Sequence, residues 1–318
     1  MENNYKIFIL GSSGQICKPI ISSIYRNLNC SLYIITRDFR NLENLNLFKI
    51  NSQRLKIIGV ENYDLLNIKK NLDEINPDVI INCLAAGSVR ARNHNWELIK
   101  YVNFTLPSFI SEWILFNKQK IFYLNFGSTA EFDGYKSNSK ISEEMFPSPS
   151  SEYAISKTAS FNKINSILSS NNNLKSYNLT LSSVYGGNED KSRLIQVIYS
   201  ALVNNTKINI SQSDNKRDYV YVEDICICIN NLLKKFINNA KSLPPMQRIF
   251  CSSGYRYTNE EVVNILGELM DKNIENITFF NKKNNNESYF SKSLIFSNKK
   301  FTNILKKEPV DINNLKIK

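Results

Sequence analysis

The chain has 318 residues, 42% of them hydrophobic, with few glycines and prolines; this is enough apolar material for a large core and excludes collagen-like or low-complexity architectures. Its formal charge of +11 is spread along the chain rather than gathered into one patch, which suits small anionic ligands better than nucleic acid or a membrane surface. Six unevenly spaced cysteines and one histidine, His94, exclude a disulfide framework, a paired CxxC zinc site and a Ser-His-Asp triad, and they point to a reducing, cytoplasmic setting with no metal.

The first half alternates short apolar runs with longer amphipathic ones. Tyr5 to Leu10 reads as a buried strand whose apolar run is too short for a secretory signal. Ile16 to Leu28 reads as a helix, with Ile16, Ile20, Ile21 and Ile24 on one face. Strands follow at Ser31–Thr36, Leu55–Val60 and Asp78–Leu84, then a long helix at Trp96–Phe116. A strand at Ile121–Phe126, a helix at Glu152–Ser169 and a strand at Leu179–Val184 complete the series. This alternation predicts an α/β fold, a Rossmann-type doubly wound parallel sheet with ligands at the carboxyl ends of its strands. After residue 185 the rhythm changes, so residues 1–184 are expected to bind dinucleotide and 185–318 to form a smaller C-terminal substrate-binding domain. The 219–239 segment, with its helix from Val222 to Phe236, is expected to pack back on the first domain, and the Asn-rich runs at 171–173 and 284–286 read as loop tips. No run of about eighteen apolar residues occurs, so no transmembrane helix is expected.

The first strand runs into Gly11-Ser-Ser-Gly14-Gln-Ile-Cys17. A glycine allows the tight turn, a second lets backbone approach a pyrophosphate at the helix N-terminus, and Cys17 is small enough for close helix–strand packing. Gly11, Ser13, Gly14, Gln15 and Ile16 are the candidate cofactor contacts. At the end of the second strand, where an acid would hold the ribose of NAD, stand Thr36 and Arg37. A hydroxyl and a planar guanidinium suit a 2′-phosphate, so NADP is favoured over NAD, with Arg40 as possible reinforcement and a solvated Arg37 as the alternative.

Tyr153 and Lys157, four apart in Pro149-Ser-Ser-Glu-Tyr153-Ala-Ile-Ser-Lys157, share a helix face. An ammonium beside a phenol lowers its pKa and makes it a proton donor and acceptor. With the glycine turn, this motif resembles the catalytic motif of the extended short-chain dehydrogenases/reductases, in their nucleotide-sugar branch. The resemblance runs from about residue 5 to 265. It implies that Asp64-Leu65 holds the adenine, that Leu84-Ala85-Ala86 lies beside the nicotinamide ribose, and that Asn103 is the central-helix asparagine. Gly127-Ser128-Thr129-Ala-Glu131 resembles the turn that orients the sugar, with Thr129, Tyr153 and Lys157 catalytic and Ser128 and Glu131 at the substrate. Ser183-Val-Tyr185-Gly186 and Arg217-Asp218-Tyr-Val-Tyr-Val-Glu-Asp224 resemble segments of the substrate side. Ser183 is expected at the sugar and Arg217 at the pyrophosphate, the alternative being an Arg217 ion pair with Asp218 or Glu223. Ser183 and Gly187 depart from the family's usual Asn and Pro.

The resemblance implies reduction of a nucleotide-diphosphate-linked 4-keto-(di)deoxyhexose of the O-antigen type. A 4-epimerase or 4,6-dehydratase is the alternative within the branch, and a non-catalytic dinucleotide binder the alternative outside it. Ala130 stands where a dehydratase carries an acid beside Glu131. The resemblance also implies a homodimer built on the two long helices, with Trp113 and Phe161 buried between subunits.

Overall fold

The structure, a computed structural model, describes residues 5–12, 14–37, 53–87, 95–187, 189–212, 214–281 and 293–315. Ser13, Arg40, His94 and the 284–286 run lie outside the described residues.

Strand β1 (Tyr5–Leu10) sits in the middle of a seven-stranded parallel sheet. Its alternate residues divide between two cores: Ile7 and Ile9 join one face, Phe8 and Leu10 the other. That two-sided burial is why the strand is apolar without alternation. The remaining strands are β2 (Cys30–Thr36), β3 (Leu55–Gly59), β4 (Val79–Asn82), β5 (Ile121–Ser128), β7 (Leu174–Leu181) and β11 (Met246–Cys251), β6 being the short Lys140–Ile141 strand outside this sheet. The order β3-β2-β1-β4-β5-β7-β11 reverses direction between β1 and β4, which opens a crevice at their carboxyl ends. The predicted doubly wound sheet is present.

Helix α1 (Cys17–Asn27) and a later helix, Val222–Asn239, cover one face and are tied by an Asn230–Ser23 hydrogen bond of 2.7 Å. The other face is covered by helices Leu65–Ile75, Leu106–Asn117 and Glu152–Leu168. The first of these was not among the expected elements.

Several expectations change. The strand expected at Leu179–Val184 is two strands. β7 begins at Leu174 and ends at Leu181, and β8 (Ser183–Tyr185) leaves the central sheet to pair with β10 (Arg217–Tyr221). β11 returns from the second half of the chain to pair with β7 along its whole length, so the central sheet draws on both halves. The 185–318 part still carries its own core, in which Ile198, Leu202, Tyr219, Val262 and Leu266 pack together.

The helix expected at Trp96–Phe116 is interrupted by a π-helical turn at Tyr101–Thr105. Pro107 follows directly; lacking an N–H, it cannot donate back to Asn103, and the widened turn absorbs that missing bond. Trp113, expected between subunits, is buried against its own chain: its indole N–H donates to Asp73 Oδ1 at 2.7 Å and Lys118 lies over its ring. Phe161 is likewise committed within the chain, stacked by Arg248 at 3.7 Å. Among the described residues no helix is long and apolar enough to cross a membrane.

Because Trp113 belongs to the subunit's own core, Trp113→Ala should cost about 3–5 kcal/mol of stability. Urea unfolding at two protein concentrations checks this: the loss should be the same at both, whereas a loss confined to the dilute sample would return Trp113 to an interface.

Candidate active site

Gly11 follows β1 with φ +84°, and a Cβ there would stand 2.9 Å from Leu84 Cδ2. Only glycine allows both the backbone and the approach. Its carbonyl accepts a hydrogen bond from the Cys17 thiol, so Cys17 closes the turn in place of a third glycine. Gly14 faces open space. Helix α1 begins behind it with Ile16 at the cap position, no capping side chain and no acid in its first turn. Its N-terminal N–H groups and dipole therefore favour an anion arriving from outside. An open glycine beside an uncapped helix fits the pyrophosphate of a nicotinamide dinucleotide.

Other candidate contacts are engaged within the chain. Gln15 donates its amide to the carbonyls of Val184 and Gly186, at 3.0 and 3.4 Å. Thr36 is buried and receives the Ser12 hydroxyl proton. Asp64 caps the helix Leu65–Ile75, accepting from Asn67 N at 2.7 Å and Asn67 Nδ2 at 2.6 Å, while Leu65 packs against the core. Arg37 is exposed, its guanidinium 5.3 Å from the Tyr63 ring centroid, so it is held on an aromatic surface rather than loose in water.

Asn103 does its work inside the π-helical turn. It accepts from Ala86 N at 3.0 Å and donates to Ala86 O at 2.9 Å and Ser156 Oγ at 3.0 Å. One buried amide thus joins the Leu84-Ala85-Ala86 segment to the helix bearing Tyr153.

Tyr153 and Lys157 occupy the first two turns of the helix Glu152–Leu168, capped by Ser151. Lys157 is buried and donates to Phe126 O at 3.0 Å. Burial pulls its ammonium down to about 8, against the attraction of Glu131 and Cys83. Burial pushes the Tyr153 phenol up to about 12; the Ser128 hydroxyl and Arg193 oppose this, and Glu131 adds to it. In this structure burial of the phenol works against the lowering expected from a neighbouring ammonium.

Ser128 caps the 3-10 turn Thr129–Phe132, and its hydroxyl is a hydrogen-bond partner of Tyr153. Glu131 does not join them. It has no exposure; Oε1 accepts the Ser128 N–H at 2.9 Å and Oε2 pairs with Arg248 at 2.8 Å. The expectation that Glu131 contacts substrate gives way to a structural assignment, because both its oxygens are spent and water cannot reach it.

On the substrate side, Ser183 opens β8 and Arg217 is exposed at the start of β10. Asp218 is not an ion-pair partner of Arg217: it accepts from Ser252 Oγ and from the Ser253 and Gly254 N–H groups at 2.7–2.8 Å. The departure at Gly187 has a physical reason, since its φ of +65° is closed to proline. Sequence reasoning missed Arg193, which donates to Val184 O at 3.1 Å and acts on Tyr153, Glu189 and Tyr219. It also missed Arg248, whose signal was a charge inside the apolar run Met246–Cys251. Among the described residues no group of His, Cys, Asp and Glu is arranged to hold a metal.

The family described as the NAD dependent epimerase/dehydratase family matches residues 7–242. No curated protein sequence matches. Among solved structures, the Bordetella bronchiseptica enzyme WbmG in complex with NAD superposes with a TM-score of 0.77 at 16% identity, covering 98% of this chain and 91% of that one. A UDP-glucuronic acid 4-epimerase from Bacillus cereus with NAD gives 0.75 at 17% identity, covering 97% and 93%. A dTDP-glucose 4,6-dehydratase from Bacillus anthracis with NAD gives 0.76 at 15% identity, covering 96% and 92%. At these identities the superpositions establish the fold.

Gly11→Ala should weaken NADH and NADPH binding together by at least about tenfold, because a left-handed alanine costs roughly 1–2 kcal/mol and its methyl displaces Leu84. Calorimetric titration of both cofactors against the variant is the check; unchanged affinities would remove the turn from the cofactor site.

Proposed function

The chain belongs to the NAD-dependent epimerase/dehydratase family, an extended short-chain dehydrogenase/reductase enzyme, and from that membership we propose that it reduces a nucleotide-diphosphate-linked 4-keto-deoxyhexose. The observation that carries this reading is the placement of Tyr153, a half-buried phenol beside the Ser128 hydroxyl and one helical turn from the buried Lys157. Reduction of a ketone needs a proton delivered to the carbonyl oxygen as the carbon gains hydride, and a protonated phenol supplies it.

When bound, nicotinamide supplies the hydride. Gly11, Gly14 and the N-terminus of α1 are assigned to the dinucleotide pyrophosphate, and Lys157 to the nicotinamide ribose. Ser128 and Thr129 orient the sugar oxygen. Tyr153 donates its proton there and recovers it from solvent after product leaves. Ser183, Arg193 and Arg217 are assigned to the sugar and diphosphate, the guanidiniums meeting phosphate oxygens in a planar fork. Arg37, supported on Tyr63, favours NADPH. Water elimination finds little support, because Ala130 offers no acid and Glu131 is sealed away from the crevice.

A 4-epimerase is the second reading, favoured by the NAD in the similar structures, one of them a UDP-glucuronic acid 4-epimerase. It would return hydride to the opposite face of the same sugar with no net use of cofactor. A homodimer accords with either reading: Leu98 and Ile155, exposed at 49% and 47% on the two packed helices, are the surface it would cover in place of Trp113 and Phe161.

With dTDP-4-keto-6-deoxyglucose as probe, NADPH absorbance should fall stoichiometrically with product, and Tyr153→Phe should lower kcat by at least about a hundredfold with cofactor affinity kept. Interconversion of UDP-hexoses with bound NAD and no absorbance change would instead select the epimerase. Arg37→Ala should erase a preference for NADPH of about tenfold or more, a charge-assisted bond contributing about 1.5–3 kcal/mol. Equal affinities in the unaltered protein would overturn the NADP assignment.

A further inference from the structure

Glu131 and Arg248 are 117 positions apart in sequence and meet where neither can reach water. Every part of the junction is built around them. Gly127 carries no side chain, and a Cβ there would lie 2.5 Å from Glu131 Oε1. The Arg248 guanidinium lies 3.7 Å from the Phe161 ring centroid and 5.2 Å from that of Phe132. Both rings belong to elements of the active site, the Tyr153 helix and the Thr129–Phe132 turn.

We propose that Glu131 and Arg248 form a positioning unit for the reaction: the pair fixes the Ser128–Thr129 turn beside Tyr153 and supplies the buried negative charge that faces the Lys157 ammonium. It rests on the assignment of Tyr153 and Lys157 above, and it gives Glu131 a role other than acid or base.

The physical argument has two parts. A buried carboxylate in apolar surroundings takes up a proton unless a cation and hydrogen bonds hold it ionised. Burial pushes Glu131 upward, and Arg248, the Ser128 N–H and Lys157 oppose it. The Arg248 guanidinium at 2.8 Å favours the ionised form, and the Ser128 N–H bond at 2.9 Å gives the carboxylate a fixed direction against the turn. The second part is the effect on Lys157, whose ammonium donates to Phe126 O at 3.0 Å, two residues before the Ser128 N–H that Glu131 Oε1 accepts at 2.9 Å. The charged and titratable groups facing it are Glu131, which favours its ammonium, and Cys83. Those facing Tyr153 are Glu131 and Arg193, with the Ser128 hydroxyl beside them. Removing the Glu131 charge leaves the buried Lys157 without its main support, so it should lose its proton at lower pH.

The test reads Lys157 directly, without depending on the substrate. Protein labelled with 13C-lysine is titrated by NMR, the Lys157 Cε resonance being identified by its loss in Lys157→Arg. The unaltered protein should titrate near 8. Glu131→Gln should lower that midpoint by about one pH unit or more, as loss of a nearby opposite charge does. Glu131→Gln leaves Arg248 unpaired and could unfold the chain. The double variant Glu131→Gln/Arg248→Met removes both charges, a replacement that buried pairs commonly tolerate, and should lower the midpoint in the same direction. In turnover, the alkaline limb of kcat should move to lower pH in step with Lys157. A folded variant whose Lys157 midpoint and alkaline limb stay at the wild-type values would reduce the pair to a structural staple and overturn the proposal. Absence of turnover in the unaltered protein would instead count against the reductase reading and leave the titration decisive here.

Discussion

A carboxylate cut off from water must find its partners inside the protein, and Glu131 finds them in the Ser128 amide and the Arg248 guanidinium. That requirement reaches far along the chain. It needs a glycine at 127, a cation within the apolar edge strand β11, and two phenylalanine rings to receive the guanidinium. Pairs of this kind are costly to desolvate and add little net stability over a well-packed apolar pair, so their value lies in what they hold. Here the pair holds the turn that presents Ser128 and Thr129, and it ties the last strand of the sheet to the helix carrying Tyr153 and Lys157.

The crevice that results has two electrostatic ends. Where β1 meets α1, an uncapped helix N-terminus and an open glycine favour negative charge. Near Tyr153, desolvation dominates: it raises the phenol and lowers the ammonium, while the Ser128 hydroxyl, Arg193, Cys83 and the Glu131 charge act on one or both. Asn103 ties the segment after β4 to this second end. Its amide is shared between the backbone of Ala86 and the Ser156 hydroxyl, so the segment after β4 and the catalytic helix keep a fixed relation.

Much of this was legible in the sequence. Strands buried on both faces are apolar throughout, which is why β1 and β4 stood out, and the glycine turn and the Tyr153/Lys157 spacing survive as local patterns. What was not legible depends on tertiary partners. Asp64 also caps its helix and Thr36 accepts a hydrogen bond from Ser12, partners that the sequence alone does not show. Trp113 looked available for a second subunit because an indole on a long helix has no visible partner in sequence, and Asp73 is 40 positions away. β11 was missed because an arginine in mid-strand breaks the apolar run, although that same charge was the clue to the ion pair. The burial of Tyr153, which works against the effect of its neighbouring lysine, is likewise a tertiary property that sequence does not display.

The central claim is that hydride passes directly between the cofactor and a ring carbon of the nucleotide-linked sugar, with Tyr153 serving the oxygen. The most direct measurement is turnover in ordinary water with NADPH deuterated at the transferable C4 position, followed by mass spectrometry and NMR of the sugar product. The account predicts a single deuterium at the carbon that was the ketone, and none in a parallel reaction run with unlabelled NADPH in deuterated water. Product formed without deuterium from the cofactor, or with carbon-bound deuterium drawn from the solvent at that position, would contradict it.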